Sequence, residues 1–190
     1  MTKLLIVTGP SGIGKTYLAN QIIQKYPRQF AIAKWYSTRQ PRSGETSPDR
    51  IFISPTGFAA KEQAGDFFIS ETFHDHQYGY PASALKPADK NLIANAWPDL
   101  LPRFIDVPDV CMVGLTTDIG NLDLLKRRMI SRGDSTERTT QRLEYVKRDI
   151  ADMERQRGLI TSHGNLFAIK TDAEIPEKVI PWIEEFLGLS

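Results

Sequence analysis

Cysteine is almost missing from this chain of 190 residues, which has Cys111 alone. An internal disulfide needs a pair, so the fold rests on packing, and the composition suits a reducing compartment. An excess of one charge is missing too. Twenty-four lysines and arginines meet 23 aspartates and glutamates, a net +1. No global field therefore marks a nucleic-acid binder or a membrane-surface protein. No apolar run approaches the ~18 residues of a membrane span. Met1-Thr2-Lys3 and four apolar residues lead directly into Thr8-Gly9-Pro10-Ser11-Gly12, a pattern unlike a secretory leader. The expectation is a cytoplasmic protein, monomer or homodimer, whose partner is a small molecule and neither nucleic acid nor membrane.

What is present is an alternation of short apolar runs and amphipathic stretches. Leu4-Leu5-Ile6-Val7 reads as a strand buried on both faces. A glycine-rich turn and a helix carrying Leu18, Ala19, Ile22, Ile23 and Tyr26 follow, stopped by Pro27. Ala31 to Tyr36 reads as the next strand. Residues 37–50 hold proline, glycine and three arginines, a loop composition. Short apolar pieces at Ile51–Ile53 and Phe67–Ile69 flank a helical turn or two at Phe58–Ala64. Asn91–Ala96 and Val110–Leu115 read as buried strands, Leu122–Ser131 and Thr139–Arg157 as helices, and Leu166–Lys170 as a last strand before a closing helix after Pro176. The stripe Leu143, Val146, Ile150, Met153 makes the long helix amphipathic. Such alternation predicts an α/β fold around a parallel sheet.

Gly9-Pro10-Ser11-Gly12-Ile13-Gly14-Lys15-Thr16 satisfies every fixed position of G-x-x-x-x-G-K-[ST], and it lies between a strand and a helix, where that motif belongs. Its amides and the positive helix end suit nucleotide phosphates. Lys15 would reach the β and γ phosphates, and the Thr16 hydroxyl would ligate Mg²⁺. Further along, Arg39 and Arg42 stand three apart on a proline-stiffened loop, and guanidinium forks match phosphate oxygens in pairs.

Ser37-Thr38-Arg39-Gln40-Pro41-Arg42-Ser43-Gly44-Glu45, together with the phosphate loop, resembles the guanylate kinase family. Asp49-Arg50-Ile51-Phe52 is similar to that family's Asp-Tyr-x-Phe, and Tyr78-Gly79-Tyr80 to its Tyr-Gly-Thr/Ser. Leu125-Lys126-Arg127-Arg128 with Ser131-Arg132-Gly133 is similar to the start of its lid, and Arg142-Leu143 to the lid's end. The resemblance implies a P-loop NTPase three-layer fold with a central parallel sheet, a small substrate-phosphate-binding insertion and a helical lid. In one domain, 1–190, the core would be 1–33 and 83–190, the acceptor-binding subdomain 34–82 and the lid about 128–145. It implies an ATP-dependent kinase using Mg²⁺, with Arg39, Arg42 and Tyr78 on the acceptor's phosphate and Lys15, Arg132 and Arg142 on the transferring group. The lid is one residue shorter than usual, so Arg138 is a substitute for Arg142.

Departures cluster where the family grips guanine. Its base-reading glutamate aligns with Ile69, a base-holding serine with Trp35, and the Thr/Ser of Tyr-Gly-Thr/Ser with Tyr80. Its Asp-x-Asp aligns with Asn95-Ala96-Trp97, leaving Asn95 where an aspartate is expected. Arg50 replaces a phosphate-contacting tyrosine. Lost polar contacts of this kind are worth factors of ~10⁴ in discrimination, so GMP is expected to be a poor acceptor. Glu71, two residues beyond Ile69, is the candidate relocated base contact, through a bulge or slip. The expected acceptor is a nucleoside monophosphate or similar phosphorylated small molecule. One alternative is ribose 1,5-bisphosphate, the substrate of a related phosphokinase that has no base to read. Another is a non-catalytic interaction module, against which the intact Gly14-Lys15-Thr16 argues. Trp35, Tyr80 and Trp97 read equally as base-stacking residues or as core. His74-Asp75-His76 reads as a polar strand surface more readily than a metal pair, and Cys111 as a small buried hydrophobe.

Overall fold

The computed structural model describes residues 3–41, 49–73, 75–85, 89–131 and 133–189. Arg42, His74 and Arg132 lie outside the described residues. Among the described residues, nine strands form two sheets. β1 (Leu4–Thr8), β2 (Phe30–Ile32), β7 (Asn91–Ala96), β8 (Val110–Thr116) and β9 (Gly164–Ala168) make a wholly parallel sheet in the order β2-β7-β1-β8-β9. β3 (Trp35–Ser37), β4 (Arg50–Phe52), β5 (Phe67–Phe73) and β6 (His76–Pro81) make a second, mixed sheet in the order β4-β3-β6-β5.

Strand periodicity divides the core in two. Leu5 and Val7 of the central strand point to one face, where they meet Leu18, Ala19 and Ile22 of α1 (Lys15–Lys25), Leu125 and Met129 of α3 (Leu122–Ser131), and Ile180 and Ile183 of α6 (Ile180–Leu187). Leu4 and Ile6 point to the other, into a cluster with Trp35, Ile69, Tyr78, Tyr80, Phe104, Met112 and Met153. The second cluster joins the small sheet to the large one. Helices α4 (Thr136–Arg155) and α5 (Arg157–His163) cross that side, supplying Met153 and Ile160. The layers are helix, sheet and helix, with the small sheet mounted on one side. No helix among the described residues is long and apolar enough to cross a membrane.

Four expectations need correction. The single strand expected at Ala31–Tyr36 is two, because the backbone changes partner at Lys34. Ala33 N–H still donates to Ile93 O on β7 (2.8 Å), whereas Trp35 N–H donates to Asp49 O (2.9 Å) in the second sheet. The expected helix at Phe58–Ala64 begins three residues earlier. α2 (Pro55–Gln63) starts where the Ser54 hydroxyl accepts from Gly57 N–H (3.1 Å) with Pro55 at the first turn, a Ser-Pro start signal. The long helix begins at Thr136, capped by Ser135 accepting from Arg138 N–H (3.2 Å), and breaks at Gln156. The last strand lies two residues earlier than Leu166–Lys170, opening on Gly164, whose backbone presses on the Met112 carbonyl of β8.

Candidate active site

The phosphate loop joins the carboxyl end of β1 to α1, so the positive end of that helix faces the cleft. Gly14 caps α1 with φ +118° and no side-chain hydrogen bond, and the first turn contains no acidic residue. The first amides of the helix are thus left for an external anion. Gly9 has φ +141°, and a Cβ there would stand 2.0 Å from the Leu115 carbonyl oxygen. The tight loop therefore requires glycine at that place. Lys15 folds back over the loop, its Nζ donating to Gly9 O (2.5 Å) and Pro10 O (3.0 Å). Thr16 is exposed at the start of α1. Ile13 is buried in the core and fastens the loop's underside.

Two flanking elements hold this loop. Arg128 of α3 donates from Nη1 to Gly12 O (3.1 Å) and Ile13 O (2.7 Å), and from Nε to Asp172 (2.8 Å). From α4, Arg142 pairs with Asp134 and donates to the Ser11 hydroxyl. Seven residues on, Asp149 accepts from the Ser11 backbone N–H. One helix face thus meets one loop residue twice. Burial pushes the Asp149 carboxyl up to about 6, with Asp99 adding to the rise; the charge of Lys15 and the Ser11 amide work against it. Arg138, the substitute lid arginine, also approaches Asp134 (3.7 Å), but the contact to the phosphate loop is made by Arg142.

The small sheet carries a second group of cations. The Arg50 guanidinium sits over the Tyr78 ring at 5.7 Å, and Arg39 over Phe52 at 5.2 Å, with Arg39 Nη1 donating to Gln40 O (2.8 Å). Tyr78 meets the Trp97 ring edge-on at 4.9 Å. Asn95 stands beside Val7 at the carboxyl end of β7. Its Nδ2 donates to buried Asp49 (3.2 Å), tying the two sheets together, while its buried Oδ1 meets no donor among the described residues.

The three residues that the sequence resemblance aligns with the family's guanine-reading positions are core. Trp35, Ile69 and Tyr80 are 3%, 1% and 0% exposed. Trp35 packs edge-on against Tyr80 at 4.7 Å, and Tyr80 against Phe104 at 5.7 Å. Of the two readings of these aromatics, base stacking and core, the structure has core for Trp35 and Tyr80. Trp97 is half-buried at the cleft. A bulge does occur in β5, between Phe67 and Ile69, yet Ile69 still faces inward opposite Tyr80. Glu71 lies opposite Tyr78 at the rim, 41% exposed and paired with Arg103 (3.4 Å).

A family model described as guanylate kinase matches residues 1–92. The guanylate kinase of Helicobacter pylori (strain ATCC 700392 / 26695) is 30% identical over 164 residues, covering 80% of this chain and 75% of that protein. The chain belongs to the guanylate kinase family. The guanylate kinase of Nostoc sp. (strain PCC 7120) is 29% identical, with 78% of this chain and 76% of that one covered. The crystal structure of guanylate kinase from Anaplasma phagocytophilum superposes with a TM-score of 0.67 at 15% identity, covering 99% of this chain and 85% of that one. That likeness supports the P-loop three-layer fold. The family model ends near Leu92, so it takes in the phosphate loop, the arginine loop and the small sheet. Sequence spacing places Arg128 only within the lid-like run and gives no role to Asp134, Asp99 or Asp149. For Asp149 a signal existed, since it lies two helical turns from Arg142 on one face.

Proposed function

We propose that this protein is an ATP-dependent kinase that transfers the γ-phosphoryl group to the phosphate of a nucleoside monophosphate or a similar phosphorylated small molecule. What supports this reading is that the small sheet, which carries a second group of cations, is tied by the Asn95–Asp49 hydrogen bond to the strand beside β1, which leads into the phosphate loop. The two phosphate anchors are the loop amides with Lys15, and Arg39 and Arg50 with Tyr78. In this reading Gly9 to Thr16 hold the ATP phosphates, and Lys15 neutralises charge on the β and γ groups. Residues 34–82 form the acceptor subdomain on a core of 1–33 and 83–190, and the lid spans about 128–145. Arg39, Arg42, Arg50 and Tyr78 grip the acceptor's phosphate. Arg142, already aimed at the loop through Ser11, and Arg132 stabilise the moving phosphoryl group.

An acceptor phosphate oxygen attacks the γ phosphorus, the bond to the β–γ bridging oxygen breaks, and ADP leaves with that electron pair. A phosphoanhydride forms on the acceptor. The protein's part is positioning and electrostatics. Mg²⁺ would arrive with ATP and spread the charge of the β and γ oxygens. The residues fit it: Thr16 presents an exposed hydroxyl at the loop's end, and Asn95 on the neighbouring strand has a buried carbonyl oxygen that meets no donor among the described residues.

The filled guanine-reading positions favour a second reading, an acceptor such as ribose 1,5-bisphosphate that offers no base. Acceptor-dependent ADP release, measured over the nucleoside and deoxynucleoside monophosphates and ribose 1,5-bisphosphate, tests the kinase reading. Lys15→Ala is expected to lower kcat at least 100-fold, the scale of one preorganised charge in the transition state, with Tm unchanged. Turnover near wild type in that variant contradicts the mechanism, and ATP consumption independent of any acceptor contradicts the reaction class.

A further inference from the structure

A cavity of about 360 Å³ opens between the small sheet, the segment after β7 and helix α4. Three rings stand around it. Phe73 closes β5, Trp97 follows β7 and Tyr145 projects from α4, with Phe73 5.0 Å from Trp97 and 6.5 Å from Tyr145. Carboxylates complete the lining: Asp99 beside Trp97, and Asp149 and Asp152 from α4. Arg148 is the cation among the described lining residues, and its Nε approaches Asp152 at 3.9 Å.

The cavity is placed between the two phosphate anchors. Trp97 on its wall touches Tyr78, under the Arg50 guanidinium. Asp149 on the opposite wall touches Ser11 of the phosphate loop. A molecule whose phosphate is held by Arg39 and Arg50, with that phosphate turned toward the loop, puts its remaining body here.

Resting on the acceptor site proposed above, we infer that this body is uncharged and rich in hydroxyl groups: a pentose carrying one phosphate, free or as the ribose of a nucleotide, and not a bisphosphate. Asp152 is paired with Arg155 and approached by Arg148; a carboxylate accepts hydrogen bonds, so Asp99 is the lining group left to select donors. Adjacent hydroxyls on a ring give two parallel donors to one carboxylate. The carbon-bound hydrogens of the same ring pack on aromatic faces, and the volume lies in the range of small-molecule sites. A second phosphate on the acceptor would face Asp99 and Asp149 in a site partly closed to water, where like charges repel most. The two acceptor readings part at this wall.

Equilibrium binding read by calorimetry, independent of turnover, tests this with four ligands: ribose 5-phosphate, AMP, 2′-deoxy-AMP and ribose 1,5-bisphosphate. AMP is expected to bind at least tenfold tighter than 2′-deoxy-AMP, and ribose 5-phosphate at least tenfold tighter than the bisphosphate. Equal affinity of ribose 5-phosphate and AMP assigns the sugar itself as the recognised body; tight AMP with weak ribose 5-phosphate assigns a nucleotide's ribose. Asp99 is exposed at the start of a short turn, so its substitution spares the core. Asp99→Asn is expected to weaken AMP at least fivefold, and Asp99→Lys to invert the order of ribose 5-phosphate and the bisphosphate. Bisphosphate binding the wild type as tightly as ribose 5-phosphate overturns the inference, as does deoxy and ribo affinity that is equal. The expected binding order without ADP release from any acceptor upholds the inference and overturns the kinase reading instead.

Discussion

Arg39 lies over Phe52 of the small sheet and Asp149 beside Ser11 of the phosphate loop, and their chemistry sets separate expectations. Arg39 donates to Gln40 O and lies over the Phe52 ring. Arg39→Ala removes a charge-assisted contact worth about 1.5–3 kcal/mol, so acceptor KM should rise tenfold or more with ATP KM unchanged. A rise in ATP KM alone would place this arginine on the wrong substrate. Asp149 has a folded pKa of about 6 against the ordinary 3.8. The folded state therefore keeps a proton that the unfolded chain has lost between about pH 4 and 6. Stability falls as pH rises through that window and levels off above it. The full difference amounts to at most about 3 kcal/mol, and residual solvent access at this half-buried group reduces it. Asp149→Asn should then raise Tm by about 3 °C at pH 7.5, the scale of ~1 kcal/mol in a domain of this size. At pH 4 the gain should vanish. A gain equal at both pH values, or a loss at pH 7.5, contradicts the assignment of burial as the cause.

Among the elements, those with strong local signals were legible in the sequence. β1 and β8 are nearly continuous apolar runs because a parallel sheet covered on both faces buries almost every residue, whereas β7 carries Asn91 and Asn95 among its apolar residues. Leu4–Thr8 is buried throughout. Boundaries that depend on a partner were not legible. The split of Ala31–Tyr36 follows from which strand each amide finds, and the start of β9 follows from a close backbone approach at Gly164. These two causes separate in mutants. Gly9→Ala meets both a positive φ and the Leu115 carbonyl, and should cost several kcal/mol or deform the loop. ATP affinity should fall with it. Gly164→Ala puts a Cβ 1.9 Å from the Met112 carbonyl oxygen, far from the cleft. It should lower Tm by a similar amount while the ATP affinity of the folded fraction is retained. Binding isotherms and melting curves for both variants check this, and loss of ATP affinity in Gly164→Ala without a change in Tm would contradict it.

Over the whole molecule, the legible part of the proposed site was the part built from backbone and charge. Gly9 to Thr16 form a motif whose spacing is its mechanism, and Arg39 with Arg50 stand out as cations in a loop-rich stretch. The illegible part needed three dimensions. Asp99, Asp134 and Asp149 are ordinary surface aspartates until α4 is packed over the loop. The fate of Trp35, Ile69 and Tyr80 shows the same limit, since residue type alone leaves stacking and core packing equal and their burial separates them. Without a buried polar partner, the ring N–H and amino donors of guanine go unpaired at ~1–3 kcal/mol each. The central claim, a family kinase whose guanine pocket has become core, is tested most directly by kcat/KM for GMP relative to the best acceptor. The account predicts a value lower by several powers of ten. Efficient GMP turnover, abolished by Glu71→Gln, would contradict it and place the base contact at the rim of β5.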